Sequence, residues 1–271
     1  DTGMAGATRS LYMHGNATII AANKLLAAMR KEDGTLRTYD EMKAEGIETK
    51  YLGRYETNTT PGLCRLDPNT GIGDPTPAFT YCLNLAEVEV DTKTGKTTVL
   101  KFTCVDFVGR IGNIDAVNGQ AYSGIMHGIG FALKEDYADV KKHANMFGAG
   151  TSYIKDVPDD INLIHIDGAI SDGPFGSSGA SEAFQASGHC AVLNGIYNAC
   201  GVRIHEIPAL PEKVKAGLDA IAKGEKPYEP KKYFLGSDMY EELENIKENP
   251  VQVGTQSFYV SLDDPTAERP F

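Results

Sequence analysis

Residues 79–91, FTYCLNLAEVEVD, and residues 97–109, TTVLKFTCVDFVG, decide the fold of this chain. In both runs apolar and polar side chains alternate, as they do along a β-strand whose two faces meet different surroundings. The residues that join them, DTKTGK at 91–96, include Gly95, a residue type that tight turns favour. The two runs therefore predict a β-hairpin over residues 79–108.

Helices and one further strand are predicted around the hairpin. Apolar residues recur at helical spacing over residues 17–31, 119–137 and 181–200, and another helix begins at Pro211. Residues 161–167, INLIHID, have the apolar run of a buried strand. Because these elements follow no regular βαβ order, we expect an α+β fold in which mixed β-sheets are covered by helices.

We expect three segments along the chain. Residues 1–110 would form a lobe of loop, helix and hairpin, and residues 111–225 a lobe of helix, strand and helix. Residues 226–271 would form a C-terminal extension. The extension is rich in Pro, Lys and Glu, and we expect it to hold one amphipathic helix at most.

The charge of the chain disfavours some classes of partner. Lys and Arg number 26 and Asp and Glu number 37, which gives a net charge of −11. Nucleic acid and anionic membranes both bind electropositive surfaces, so neither is expected as a partner. The sequence begins with Asp1 and shows neither a signal peptide nor an apolar run of about 18 residues. We therefore expect a piece of a longer cytoplasmic protein.

The loop GPFGSSGASE, residues 173–182, is the most informative stretch for function. It precedes a predicted helix, and the free N–H groups and dipole of a helix N-terminus favour an anion such as phosphate. Glu182 is expected in the first turn of that helix. It could be a general base directed into an anion-binding pocket, or it could merely complement the helix dipole while Ser181 caps the helix.

The N-terminal run GMAGATRSLYMHGN, residues 3–16, could also approach a ligand. Its small residues let the backbone come close to another molecule, and its polar residues offer hydrogen-bond donors. An ordinary loop with a helix cap would have the same composition. The candidates in this run are Gly6, Ala7, Thr8, Arg9 and Ser10.

A third candidate segment is GNIDAVNGQ, residues 112–120. Asn113 and Gln120 flank its centre, and Gly124 and Gly128 follow it as a bare stripe on one face of the predicted helix. Such a stripe allows close approach of another backbone or a ligand. Gln120 could bond the edge of a heterocycle, or it could only cap its own helix.

The sequence shows no metal-ligand motif. Its five cysteines contain no CxxC pair, and its six histidines form neither HxH nor HExxH. A metal site built from side chains is therefore not expected. The irregular cysteine spacing is typical of reduced thiols in a cytoplasmic protein.

These separate signals become specific through their order along the chain. GATRS is followed by the hairpin, then by GNIDAVNGQAYSGIMHGIGFAL, GPFGSSGASE and GVRIHEIPALPEKV. In this order the chain resembles the xanthine oxidase family of molybdenum hydroxylases, and in particular its bacterial aldehyde oxidoreductases. The resemblance covers residues 1–250, leaves residues 251–271 outside, and implies the C-terminal part of the molybdopterin-binding domain.

The resemblance implies roles for the candidate residues. Glu182 matches the family's glutamate beside molybdenum, which acts as the general base, and Gln120 matches a glutamine that hydrogen-bonds the pyranopterin. Thr8 stands where a serine is commoner, and the hydroxyl is kept. The family uses no protein side chain as a direct metal ligand. The other positions that match cofactor-facing segments are Gly6, Ala7, Thr8, Arg9, Ser10, Asn113, Ser178, Gly179 and Ala180.

The resemblance also implies cofactors and partners. A molybdenum–pyranopterin, expected as molybdopterin cytosine dinucleotide, would serve the oxidation of an aldehyde with water to a carboxylic acid. Two electrons would pass to iron–sulfur clusters held elsewhere in the full enzyme. Those clusters and the first half of the molybdenum domain would be other portions of the same enzyme, which is expected to be a homodimer when intact.

Two alternatives stay open. A purine or other N-heterocycle hydroxylase would use the same glutamate, although residues 179–184, GASEAF, lack the proline-rich stretch that follows the glutamate in purine enzymes. In the other alternative the 271 residues are structural and inactive alone, because the family's active site lies between two halves of the molybdenum region.

Overall fold

A computed structural model describes residues 6, 8–57, 78–170, 172–225 and 245 of the chain. The strands are β1 (Tyr81–Val90), β2 (Thr97–Phe107) and β3 (Asp160–His165). The α-helices are α1 (Gly15–Met29), α2 (Tyr39–Ala44), α3 (Ile114–Leu133), α4 (Ala183–Ala186), α5 (Gly188–Cys200) and α6 (Pro211–Ala222). A π-helical turn, Ser10–His14, leads into α1, and short 3₁₀ turns occupy Ile154–Asp156 and Pro174–Gly176.

The predicted hairpin is confirmed. β1 and β2 pair antiparallel, with one bulge near the turn. Asp91 holds the turn, because its carboxylate accepts hydrogen bonds from Lys93 N at 2.8 Å and Thr94 Oγ1 at 2.9 Å. These bonds hold the pKa of Asp91 below its ordinary value. Gly95 takes a φ of 77°, which residues with a Cβ rarely adopt.

The hairpin belongs to a mixed sheet with the strand order β1-β2-β3. β3 pairs parallel with β2, in register from Lys101–Asp160 to Asp106–His165. α3 lies in the connection between these two strands, as parallel pairing requires a crossover. With helices packed on one face of the sheet, the α+β prediction is confirmed.

One hydrophobic core joins the inner face of the sheet to α3, α4 and α5. Phe102 from β2 and Phe184 from α4 are fully buried in it. The predicted glycine stripe is where the helices meet: a Cβ on Gly124 would lie 2.5 Å from the Cβ of Phe184, and a Cβ on Gly128 would lie 2.9 Å from the Cα of Gly188. The missing side chains therefore let α4 and α5 lie directly on α3.

The predicted helices are present, with shifted ends. α3 begins earlier than predicted because Asn113 Oδ1 accepts a hydrogen bond from Ala116 N at 3.0 Å and caps the helix. The single helix predicted over 181–200 is wrong: two helices, α4 and α5, are separated at Ser187, whose φ and ψ are −121° and 1°. Gly201 ends α5 in the left-handed region, at a φ of 77°.

The chain divides into two compact units, Asp1–Pro227 and Tyr228–Phe271. Of the predicted extension 226–271, the structure describes only Asn245. The division predicted near residue 110 falls between β2 and α3, which share the core, and it stays a prediction. Within the described residues, every helix is too short or too polar to cross a membrane.

Candidate functional site

A cavity of about 520 Å³ lies where the end of β2 and the start of α3 face the loop before α4. Candidate residues from three distant parts of the sequence line this cavity. The predicted site residues in its lining are Gly6, Thr8, Asn113, Gln120, Ser178, Ala180 and Glu182. The fold therefore brings the three candidate segments to one place.

Hydrogen bonds fix the loop 173–182 against the residues that follow β2. Arg110 N donates to Gly176 O at 2.8 Å, and Ser178 N donates to Val108 O at 3.0 Å. The hydroxyl of Ser177 donates to Arg110 O at 2.6 Å. The loop that leads to Glu182 is therefore held beside the segment that leads into α3.

Thr8 joins the N-terminal segment to the same loop. Its φ of 57° lies in the left-handed region, which is costly for a β-branched residue. Its Oγ1 lies 2.9 Å from Ser181 Oγ and accepts a hydrogen bond from Ser181 N at 3.4 Å. These contacts hold the strained residue next to Glu182, on the wall of the cavity.

Glu182 occupies the N-cap position of α4 rather than its first turn. Its side chain lines the cavity and is exposed, and it makes no hydrogen bond or ion pair with the residues that the structure describes. The alternative in which Ser181 caps the helix is wrong, because α4 has no side-chain cap and the Ser181 hydroxyl contacts Thr8. The carboxylate is thus available to a ligand in the cavity.

Gln120 lies within α3, beyond its first turn, and Asn113 is the N-cap of that helix. The interpretation in which Gln120 caps its own helix is therefore wrong. Its exposed side chain lines the cavity without a hydrogen-bond partner in the described part of the chain. A ligand-binding role for Gln120 stays a prediction, and the Oδ1 of Asn113 is already engaged in its cap.

Three of the predicted site residues that the structure describes do not line the cavity. Ala7 lies outside the described residues. Arg9 and Ser10 follow Thr8 along the chain, and Gly179 lies between two lining residues. The Nε of Arg9 is buried and has no hydrogen-bond partner among the described residues. This atom needs a partner that the described chain does not provide.

Arg110 is an exposed residue that brings a positive charge to the cavity, and it was not among the residues predicted from the sequence. Its position directly after the hairpin, beside the segment 112–120, is the signal that could have found it. The hydroxyl-bearing Ser177 and Ser181 also line the cavity. Among the residues that the structure describes, no group of three or more His, Cys, Asp or Glu could hold a metal ion.

Comparison with known proteins shows which proteins the chain is similar to. The family model of the molybdopterin cofactor-binding domain matches residues 1–158. The aldehyde oxidoreductase of Megalodesulfovibrio gigas is 42% identical over 220 residues, which are 81% of this chain and 24% of that protein. A protein of Escherichia coli strain K12 named probable hypoxanthine oxidase XdhD is 30% identical over 151 residues, which are 54% of this chain and 16% of that protein.

The fold has a matching solved structure. The aldehyde oxidoreductase from Desulfovibrio gigas superposes with a TM-score of 0.76 and 41% identity, over 80% of this chain and 24% of that one. The chain thus spans about a quarter of the length of the aldehyde oxidoreductases that it matches. The family model, the identity and the fold agree, and the chain belongs to the xanthine oxidase family as part of its molybdopterin cofactor-binding domain.

Proposed function

We propose that this chain forms one wall of the active site of a molybdenum-dependent aldehyde oxidoreductase. The reaction converts an aldehyde and water to a carboxylic acid, two protons and two electrons, and the electrons pass to iron–sulfur clusters in other portions of the enzyme. The observation that carries the proposal is the meeting of Thr8, Gln120 and Glu182 at one cavity. The 42% identity to an aldehyde oxidoreductase supports the choice of substrate class.

The donors at the cavity fit a pterin that carries phosphates. The amide of Gln120 can bond the edge of a heterocycle, and the guanidinium of Arg110 can pair with a phosphate. Gln120 and Arg110 would therefore hold the cofactor, which we propose to be the cytosine dinucleotide form of molybdopterin.

In the proposed mechanism Glu182 is the general base. When bound, the molybdenum cofactor supplies Lewis acidity and accepts two electrons. One Oε of Glu182 accepts a proton from the water that attacks the carbonyl carbon of the aldehyde. The Thr8–Ser181 hydrogen bonds position the backbone on the N-terminal side of Glu182. The Glu182 carboxylate has no partner among the described residues, so it breaks no bond with them before it accepts the proton.

Substitution of Glu182 in the full-length enzyme tests this role. Glu182→Gln keeps the shape of the side chain but removes the base, so turnover of an aldehyde should fall by about 10² to 10⁴-fold while molybdenum content stays unchanged. The matched control is Glu32→Gln, at an exposed glutamate away from the cavity, which should leave turnover unchanged. Turnover of Glu182→Gln within about tenfold of wild type would refute the assignment.

The second candidate is a purine or N-heterocycle hydroxylase on the same scaffold. The observation that supports this candidate is the 30% identity to a probable hypoxanthine oxidase. Against it, Ala183 and the buried Phe184 follow Glu182, without a proline-rich stretch. Benzaldehyde and xanthine, offered separately to the full-length enzyme, distinguish the two candidates: we expect turnover of benzaldehyde and little of xanthine.

The remaining proposals concern the whole protein. We propose a homodimeric enzyme in the cytoplasm, with iron–sulfur clusters and the other half of the molybdenum domain supplied by further portions of the same protein. The cysteines that the structure describes, Cys82, Cys104, Cys190 and Cys200, are free thiols, in keeping with a reducing compartment. The molecular mass of the purified full-length enzyme in solution tests the dimer.

A further inference from the structure

Asn84 is the one buried residue of β1, and it is polar. On the same side of the strand, Cys82, Ala86 and Val88 pack against the hydrophobic core. A buried amide costs free energy unless it is hydrogen-bonded, whereas an apolar side chain at this position would extend the core. The contacts of Asn84 therefore show why a polar residue stands there.

The side chain of Asn84 bonds to the segment that follows Glu182. Its Nδ2 donates to Ser187 Oγ at 3.0 Å and to Phe184 O at 3.4 Å. A backbone carbonyl oxygen can only accept, so the amide nitrogen must face α4. The Oδ1 of Asn84 accepts a hydrogen bond from Cys82 Sγ at 3.6 Å, and both ends of the buried amide therefore have partners.

α4 depends on contacts from outside itself. It comprises only the four residues Ala183–Ala186, has no side-chain cap, and is separated from α5 at Ser187. A single helical turn is not stable by itself, because forming the first turn orders several residues for very few hydrogen bonds. Within the described part of the chain, Asn84 makes the hydrogen bonds that join residues 183–187 to the sheet.

α3 and β1 hold α4 from two directions. The Phe184 side chain is fully buried in the core, and a Cβ on Gly124 of α3 would lie 2.9 Å from Gln185 N. These apolar contacts are non-directional, whereas the hydrogen bonds from Asn84 have a preferred geometry. The hydrogen bonds therefore restrict the orientation of α4 against the sheet.

We infer that Asn84 is a positioning residue for the general base Glu182, an inference that rests on the proposed function. Glu182 is the N-cap of α4, two residues before the carbonyl of Phe184 that accepts from Asn84. The exposed Glu182 carboxylate makes no hydrogen bond with the described residues, so its place at the cavity depends on the backbone that carries it. The Thr8–Ser181 contact holds this backbone on the N-terminal side of Glu182, and Asn84 holds it on the C-terminal side.

Hydrogen exchange of the full-length enzyme tests whether Asn84 holds α4. Asn84→Leu replaces the amide by an apolar group of similar size and leaves Phe184 O and Ser187 Oγ without this donor. Peptides that span residues 183–187 should therefore exchange at least about fivefold faster than in the wild type. Unchanged exchange of these peptides overturns the inference.

Cys104→Ala is the matched control for this measurement. Cys104 pairs with Asn84 across the hairpin and is fully buried, but its thiol contacts Cys82 rather than α4. The substitution therefore disturbs the packing of the sheet beside Asn84 and leaves the hydrogen bonds to α4 in place. We expect peptides over residues 183–187 of Cys104→Ala to exchange as in the wild type.

Turnover distinguishes positioning from a purely structural role. Asn84→Leu should lower kcat for benzaldehyde by about 10 to 10²-fold at unchanged molybdenum content, because a small displacement of a catalytic group costs that much. In Glu182→Gln enzyme the same substitution should change kcat by less than about twofold, because no base remains to be displaced. A fall by the same factor in both backgrounds overturns the inference, as does an unchanged kcat of Asn84→Leu.

Ser187→Ala decides the matter if Asn84→Leu fails to fold. It removes the shorter of the two hydrogen bonds without altering β1, so exchange of α4 should rise and kcat should fall by smaller factors. Wild-type exchange and kcat in Ser187→Ala would then overturn the inference.

The inference and the proposed function can fail separately. Turnover of Glu182→Gln near that of the wild type refutes the general base, and the role of Asn84 with it. A normal kcat of Asn84→Leu beside a strongly impaired Glu182→Gln enzyme refutes the inference alone.

Discussion

Asp106 is a carboxylate buried on the inner side of β2. Its Oδ2 lies 2.7 Å from His165 Nδ1, while its Oδ1 has no hydrogen-bond partner among the described residues. The other ring nitrogen of His165 lies 2.7 Å from Asn118 Oδ1, so the histidine links the sheet to α3. Burial raises the pKa of Asp106, although His165 opposes the shift.

This shift predicts a dependence of stability on pH. A carboxyl whose pKa is raised in the folded state stabilises it fully below the unfolded pKa of about 3.8, and loses that contribution as pH rises through the folded pKa. Asp106→Asn removes the titration. The unfolding free energy of the wild type minus that of the variant should therefore fall as the pH rises from about 3.8 towards neutral.

Urea unfolding of both proteins at several pH values in this range measures the difference. The exposed Asp159→Asn serves as the control for the loss of a surface carboxylate. A constant difference for Asp106→Asn would contradict the pKa shift of Asp106.

At the scale of elements, the packing of α5 on α3 depends on Gly128. Alanine favours a helix over glycine by about 1 kcal/mol, so Gly→Ala within a helix normally stabilises. At Gly128 the new Cβ would lie 2.9 Å from the Cα of Gly188. This backbone atom cannot move aside as a side chain could. Gly128→Ala should therefore destabilise the protein by about 1–3 kcal/mol.

Gly119 is the matched control in the same helix. A Cβ there would meet no atom of the described residues within 4 Å, so Gly119→Ala should stabilise by about 0.5–1 kcal/mol. Urea unfolding of the two variants gives their stabilities relative to wild type. Equal effects of the two substitutions would show that the close approach of α3 and α5 is not required.

The sequence could predict those structural elements that depend on local signals. The hairpin and the glycine stripe were predictable because alternation, the turn around Asp91 and helical spacing are local signals. The parallel pairing of β3 with β2 was not, because residues 101–106 meet residues 160–165 only through tertiary packing. The break at Ser187 is marked in the sequence only by the adjacent Gly188, and a single glycine is also tolerated inside a helix.

The same contrast between local signals and tertiary contacts applies to the candidate site. The types of residue at the cavity were predictable from short segments, but the contact of Thr8 with Ser181 joins positions 173 residues apart. The sequence alone left open whether Gln120 caps its own helix. The structure answers this question, because the N-cap of α3 is Asn113. The only local signal of Arg110 was its position directly after the hairpin, and its place beside the cavity made it a candidate.

At the scale of the whole molecule, the cavity predicts how the chain behaves alone. A site that holds a small molecule tightly buries about 70–90% of the ligand surface, yet Gln120 and Glu182 are exposed here and the chain spans a quarter of its relatives' length. The purified 271-residue chain should therefore hold molybdenum and pterin far below one per chain, whereas the full-length protein should hold about one of each. Metal analysis and pterin fluorescence measure both, and stoichiometric molybdenum in the 271-residue chain would show that this one wall is sufficient to bind the cofactor.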